Sequence, residues 1–382
     1  GNQATVNHPI GLIDCRDHHL ISTNTTYPDR SYFDDPQSYD LSNYGPDNFE
    51  PETGLYNIHC LFGGNNSADM STLSLIQLYS GGISSVYGGG NLGDMTNSSA
   101  ALSLPVYNSV MAHAFVDDQN QPLLPQPTGI SSIVSALSDS KIICDYIFGG
   151  CRMSNVKYSC GVYLAGGIFG YINGGNDISG DIGSTTGDFA NGQTNGAYVI
   201  IDSNVLIVGD VVGGSDGYYH CDDGTGHYDE SELVDTYSGE NYDPYNLYSD
   251  PLNPILLPTH NNTNVAIKGG IVMGSVISGG VHANVGFTDR ATGNKIRLNG
   301  SEQVLTPVGG IRHGSVHLSI IGGHIMGDVY GGGHLSSIYG LAYLHVGGNA
   351  QIDGSFYAGN NLKSFGNGIY GVPYSAFWNT SS

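Results

Sequence analysis

The chain has 382 residues, 58 of them glycine, and carries 34 Asp plus Glu against 11 Lys plus Arg, a formal net charge of −23. Glycine at about twice its usual share without a G-X-Y period excludes collagen, and 39% hydrophobic residues in short regular runs exclude a disordered polymer. So acidic a surface repels nucleic-acid phosphates and anionic lipid, and no apolar run is long enough to span a bilayer.

Residues 1–57 read as an irregular N-terminal arm, with Asp, Asn, Pro and Tyr and little periodicity. The opening GNQATVNHP lacks Met and a signal peptide, which implies a processed N-terminus or an excised fragment. From Leu73 to Gly93 a different grammar begins: a short alternating strand, Gly81-Gly82, a second strand, then Gly88-Gly89-Gly90. Period-two apolar residues predict strands, and clustered glycines supply corners that side chains would block. Residues 94–138 leave the pattern, with Pro122, Pro125 and Pro127 marking loop. Within them Ile130, Ile133, Val134 and Leu137 stand at helical spacing behind Thr128, predicting one short helix.

The grammar returns at Lys141–Gly183, Ala197–Gly217 and Asn264–Gly286, and most clearly at Ser315–Asn361. Insertions at 218–263 and 287–314 interrupt it, and an aromatic tail, 365–382, follows. A unit this short cannot bury its own apolar face and needs the next copy stacked on it. The expected fold is therefore all-β: a β-solenoid of parallel β-helix type spanning 58–364, with long loop insertions and the short helix. The alternatives are a β-sandwich of short hairpins, in which Gly-Gly forms the turn, and a lattice of polyproline-II-like helices.

The strings GGHIMGDVYGGG, SGGISSVYGGGNLGD and KGGIVMGSVISGG resemble the GG-x-I-x-G-x-V-Y-GGG repeats of large secreted surface proteins of Bacteroidetes-type bacteria. More loosely, they are similar to autotransporter-like and phage-fibre β-helices. The resemblance covers the modules and not the arm or the insertions. It implies a structural or adhesive role at the cell surface and brings no catalytic residue.

Three sets of side chains are candidates for chemistry. In the 218–258 segment, Asp222, Asp223, Asp229 and Glu230 surround Gly224 and Gly226, a hard-oxygen loop suited to Ca²⁺ but without EF-hand spacing. The plain alternative is an acidic solvated loop. In the same stretch Tyr218, Tyr219, Tyr242 and Tyr245, with Trp378 in the tail, suit a subunit interface or sugar stacking. Six cysteines, Cys15, Cys60, Cys144, Cys151, Cys160 and Cys221, form no CxxC pair and suit two or three disulfides in an oxidising compartment, with Cys15–Cys60 tethering the arm. His313 and His317 are too far apart on a strand to share one ion, so a histidine metal site needs two stacked units.

No hydrolase, metalloprotease or nucleotide-binding fingerprint occurs, and the acid pairs Asp34-Asp35, Asp117-Asp118 and Asp222-Asp223 lie in insertions or the arm. The expectation is a non-enzymatic structural subunit of an extracellular filament or surface fibre, assembling with itself. It needs no cofactor, and calcium is the one ion its chemistry suits. The alternatives are a glycan- or receptor-binding adhesin using the insertions, and a polysaccharide-active enzyme on the same scaffold.

Overall fold

Short runs of Val, Ile and Leu between glycine pairs fold as strands, and among the described residues nothing is helical. The structure, a computed structural model, describes residues 58–97, 114–183, 195–216, 262–285 and 312–361 apart from single positions within them. It also describes the strands Ile10–Asp14, Thr259–His260, Phe287–Thr288 and Val372–Phe377.

The strands fall into successive tiers. The first holds β1 (Ile10–Asp14) and β2 (Ile58–Phe62), the second β3 (Ser74–Tyr87), the third β4 (Ile130–Phe148), and the fourth β5 (Ser159–Leu164) and β6 (Gly167–Asn173). The fifth holds β7 (Ala197–Ile201), β8 (Val205–Ile207) and β9 (Val211–Val212). After β10 (Thr259–His260) the sixth holds β11 (Thr263–Ile267), β12 (Ile271–Val272) and β13 (Val276–Ile277). Short strands β14 (Asn284–Val285), β15 (Phe287–Thr288) and β16 (Arg312–His313) come next. The seventh tier is β17 (Val316–Ile320), β18 (His324–Ile325) and β19 (Val329–Tyr330). The eighth is β20 (Leu341–Val346), β21 (Gln351–Ile352) and β22 (Phe356–Tyr357), and β23 (Val372–Phe377) closes the series.

Each tier pairs in parallel with the one before and the one after, giving one 19-stranded curled sheet. In the first column Ile76, Val134, Val162, Val199, Val265, Leu318 and Leu344 lie in register. In the third, Val86, Ile147, Ile172, Val211, Val276, Val329 and Phe356 do the same. These inward residues belong to one continuous apolar core, with Phe356 packed at its margin. Each fully buried Val, Leu or Ile contributes roughly 1.5–3 kcal/mol of hydrophobic stabilisation. The only antiparallel ladder among the described residues is β15–β16. The hairpin sandwich therefore fails, because Gly-Gly joins strands of neighbouring columns instead of turning the chain back on itself. The polyproline-II lattice fails with it, since the modules are extended, ladder-bonded strands.

The predicted helix is also overturned. Its residues open β4, paired to β3 on one side and β5 on the other. Helical spacing arises there because both faces are covered. Val134 and Ala136 face the core, while Ile130 and Ile133 pack outward against Ala114, Phe115 and Leu124 of the preceding segment. A shift of the β4–β5 register between Ile130 and Ser132 is what brings two residues three apart onto one face. The sheet thus resumes at Ile130, inside the span expected as insertion. The arm is not wholly irregular either, since β1 pairs with β3. The tail likewise contributes β23, in unbroken register with β20.

Glycine serves two separate corners. Between the first and second columns the chain needs positive φ, met by Gly270 (φ 77) and Gly323 (φ 81), and in the fifth tier by Asn204 (φ 64). After the third column it needs close approach instead: a Cβ on Gly88 would overlap the Gly149 carbonyl oxygen, and one on Gly149 that of Gly174.

Candidate interaction surface

The calcium candidates Asp222, Asp223, Asp229 and Glu230 lie outside the described residues, as do Tyr218, Tyr219, Tyr242, Tyr245, Trp378, Cys15 and Cys221. The described cysteines correct the disulfide expectation: no disulfide joins Cys60, Cys144, Cys151 or Cys160. Alternation turns Cys144 and Cys160 into the interior, and Cys151, just past the Gly149-Gly150 corner, packs with Met95 and Val156; all three are fully buried. The Cys160 thiol donates to the Gly174 carbonyl at 3.3 Å, and the Cys144 thiol to that of Tyr146 at 3.3 Å. Burial pushes the Cys151 thiol up to about 11 and raises Cys160 as well, so both stay protonated and unreactive.

Stacked tiers bring no two histidines together among the described side chains. His317 stacks on Tyr343 at 4.8 Å; His345 meets Ser319 at 3.3 Å, and His334 meets Asn361 at 2.9 Å. His324 pairs with Asp353 at 2.7 Å. Among the described residues no group of three or more His, Cys, Asp or Glu is placed to hold a metal. Burial lowers His317 to about 4, which keeps it neutral.

Polar outward positions bond from tier to tier. Asp94 accepts the amide of Asn155 at 2.8 Å, and Asn155 accepts that of Asp181 at 2.9 Å. At the bend before the third column Asp210 accepts the Ser275 amide at 2.6 Å, Ser275 accepts that of Asp328 at 3.3 Å, and Asp328 accepts that of Ser355 at 2.7 Å. Acidic side chains are thus spent on backbone donors along the stack, which accounts structurally for part of the charge excess.

The position just before the close-approach corner is aromatic at both ends of the stack, with Asn173, Val212 and Ile277 in the tiers between. Phe62 stacks on Tyr87 at 4.6 Å and Tyr87 on Phe148 at 5.1 Å, with rings near parallel. At the other end of the same column Tyr330 stacks on Tyr357 at 5.1 Å. Tyr87 also donates to Asp177 at 3.0 Å, and burial followed by Asp177 raises its phenol. Apolar alternation and glycine spacing do not by themselves reveal this column. Its signal is an aromatic residue directly before the pair in Phe62-Gly63-Gly64, Tyr87-Gly88-Gly89, Phe148-Gly149-Gly150 and Tyr330-Gly331-Gly332.

The two ends of the sheet are complementary. Through the stack, each corner amide donates to the next tier: Gly63 to Tyr87, Gly64 to Gly89, Gly331 to Tyr357 and Gly332 to Gly359. Among the described residues the series stops at Ala358 and Gly359, whose amides find no acceptor in a further tier. It starts at the Phe62 and Gly64 carbonyls, which no described earlier tier addresses. Beyond β19, β21 and β22 continue the second and third columns but have no described strand on their far side. Tyr357 there is 46% exposed. Unpaired strand edges of this kind template further pairing.

Compared with protein-family models, curated proteins and solved structures, the chain matches none.

Proposed function

We propose that the chain is a β-solenoid with a mechanical role: a structural subunit of an extracellular filament or cell-surface fibre that assembles end to end with further copies of itself. The observation that carries this reading is the pair of complementary ends, amides unspent at Ala358 and Gly359 and carbonyls unaddressed at Phe62 and Gly64 among the described residues. Parallel tiers support it too, because a sheet that grows by repeating one pairing has no built-in stop. The described groups fit such a role: the Cys151 and Cys160 thiols are buried and protonated, and Asp210 and Asp328 accept backbone amides of neighbouring tiers. Calcium in the 218–258 segment is no part of this reading.

Electron microscopy of the purified, never-denatured protein tests it. The expected result is filaments with an axial repeat of roughly 40 Å, the height of one copy at about 4.8 Å per tier. Discrete particles overturn it and turn attention to the insertions as the recognition surface of a glycan-binding adhesin.

A further inference from the structure

We propose that copies join in one register: Tyr357 of one copy lies over Phe62 of the next, and β23 of the first copy takes the place beside β3 that β1 holds in the single chain. This inference rests on the end-to-end reading and gives it residues. The contact continues an interface that the chain already makes between its own tiers, so its partner is a second copy.

Three observations carry it. The aromatic column opens with Phe62 and Tyr87 and closes with Tyr330 and Tyr357, stacked at 4.6 and 5.1 Å. Phe62 on Tyr357 repeats that spacing without a new geometry. The hydrogen bonds extend by the same rule: Ala358 N–H to the Phe62 carbonyl and Gly359 N–H to the Gly64 carbonyl, as Gly63 reaches Tyr87 and Gly64 reaches Gly89 within the chain.

The third observation concerns the first column. There β23 lies beyond β20, and β1 lies ahead of β3. Once β22 meets the next copy's β2, only one strand fits between β20 and the next β3, so two strands compete for one place. β23 pairs with β20 over six consecutive residues, whereas the β1 ladder shifts register between Ile10 and Ile13. The better-fitted strand stays, and β1 is displaced.

The experiment uses the full-length chain with Cys60→Ser. Phe62→Cys and Tyr357→Cys are made in separate chains, mixed, allowed to assemble and mildly oxidised, and the linked peptides are identified by mass spectrometry. The expected result is a disulfide between position 62 of one chain and position 357 of the other in the mixture, and none in either chain alone. Filaments without that link overturn the register while leaving end-to-end assembly standing. Absence of filaments from the unsubstituted chain removes the assembly reading and this inference together. A second pair tests the strand exchange. Ile13→Pro in β1 is expected to shorten the lag of assembly, and Ser375→Pro in β23 to abolish assembly. A lengthened lag with Ile13→Pro overturns the displacement.

Discussion

Gly88 shows how little freedom a single position has in this sheet. Its hydrogen occupies the space where a methyl group would meet the Gly149 carbonyl oxygen of the next tier. Gly88→Ala is expected to cost about 1–3 kcal/mol, seen as a lower thermal midpoint, because the tiers must separate locally. Asn204 tells the opposite story: it stands at a corner where other tiers use glycine, since Asn tolerates positive φ better than most side chains do. His317 makes the fold pH-sensitive. Burial holds it at about 4 against an ordinary 6.5. Between those values the unfolded chain takes up a proton that the folded chain refuses, so stability falls as pH drops from about 6.5 to about 4 and levels off below. The loss approaches about 3 kcal/mol. Urea midpoints measured across that range should slope for the native chain, and His317→Phe should remove that component of the slope.

At the scale of elements, β4 explains why one stretch of sequence misleads. A strand covered on one side announces itself by alternation. In β4, Ile130 and Ile133 are buried on one face and Val134 on the other, and two overlaid apolar patterns with a register shift mimic helical spacing. The cover is the segment around Phe115, whose ring meets Tyr198 edge-on at 5.4 Å while the Tyr198 hydroxyl donates to the Pro125 carbonyl at 3.1 Å. Phe115→Ala is expected to lose about 3–5 kcal/mol and to speed amide exchange in β4 and β5 before the rest of the sheet. Unchanged exchange there would mean that the cover is dispensable. The strand-and-glycine modules are legible because local composition decides them: apolar alternation and paired glycines. What the glycines do is legible only in part. Positive φ is a property of one residue, whereas close approach after the third column depends on a carbonyl in the next tier, some tens of residues away along the chain. The aromatic column escapes sequence reading for the same reason, since Phe62, Tyr87 and Phe148 become neighbours only once the tiers are stacked.

For the whole molecule, charge and edge pairing oppose each other. Every copy brings a formal net charge of −23, so bringing two ends together costs electrostatic work that salt screens. Assembly should therefore quicken as sodium chloride is raised from low to physiological concentration, followed by light scattering, and an opposite trend would indicate that ion pairs hold the contact instead. Because every pairing in the 19-stranded sheet is parallel, each tier repeats the direction of the one before it and the stack has a distinct head and tail. A fibre extended by the same pairing inherits that direction over its entire length. Its two tips are not equivalent: each offers amides and carbonyls in alternation, as the edge of a parallel strand does, but one tip is the outer side of the first tier and the other the outer side of the last. An anchor or a cap made for one tip does not fit the other, so growth and attachment are kept apart by the polarity of the backbone itself.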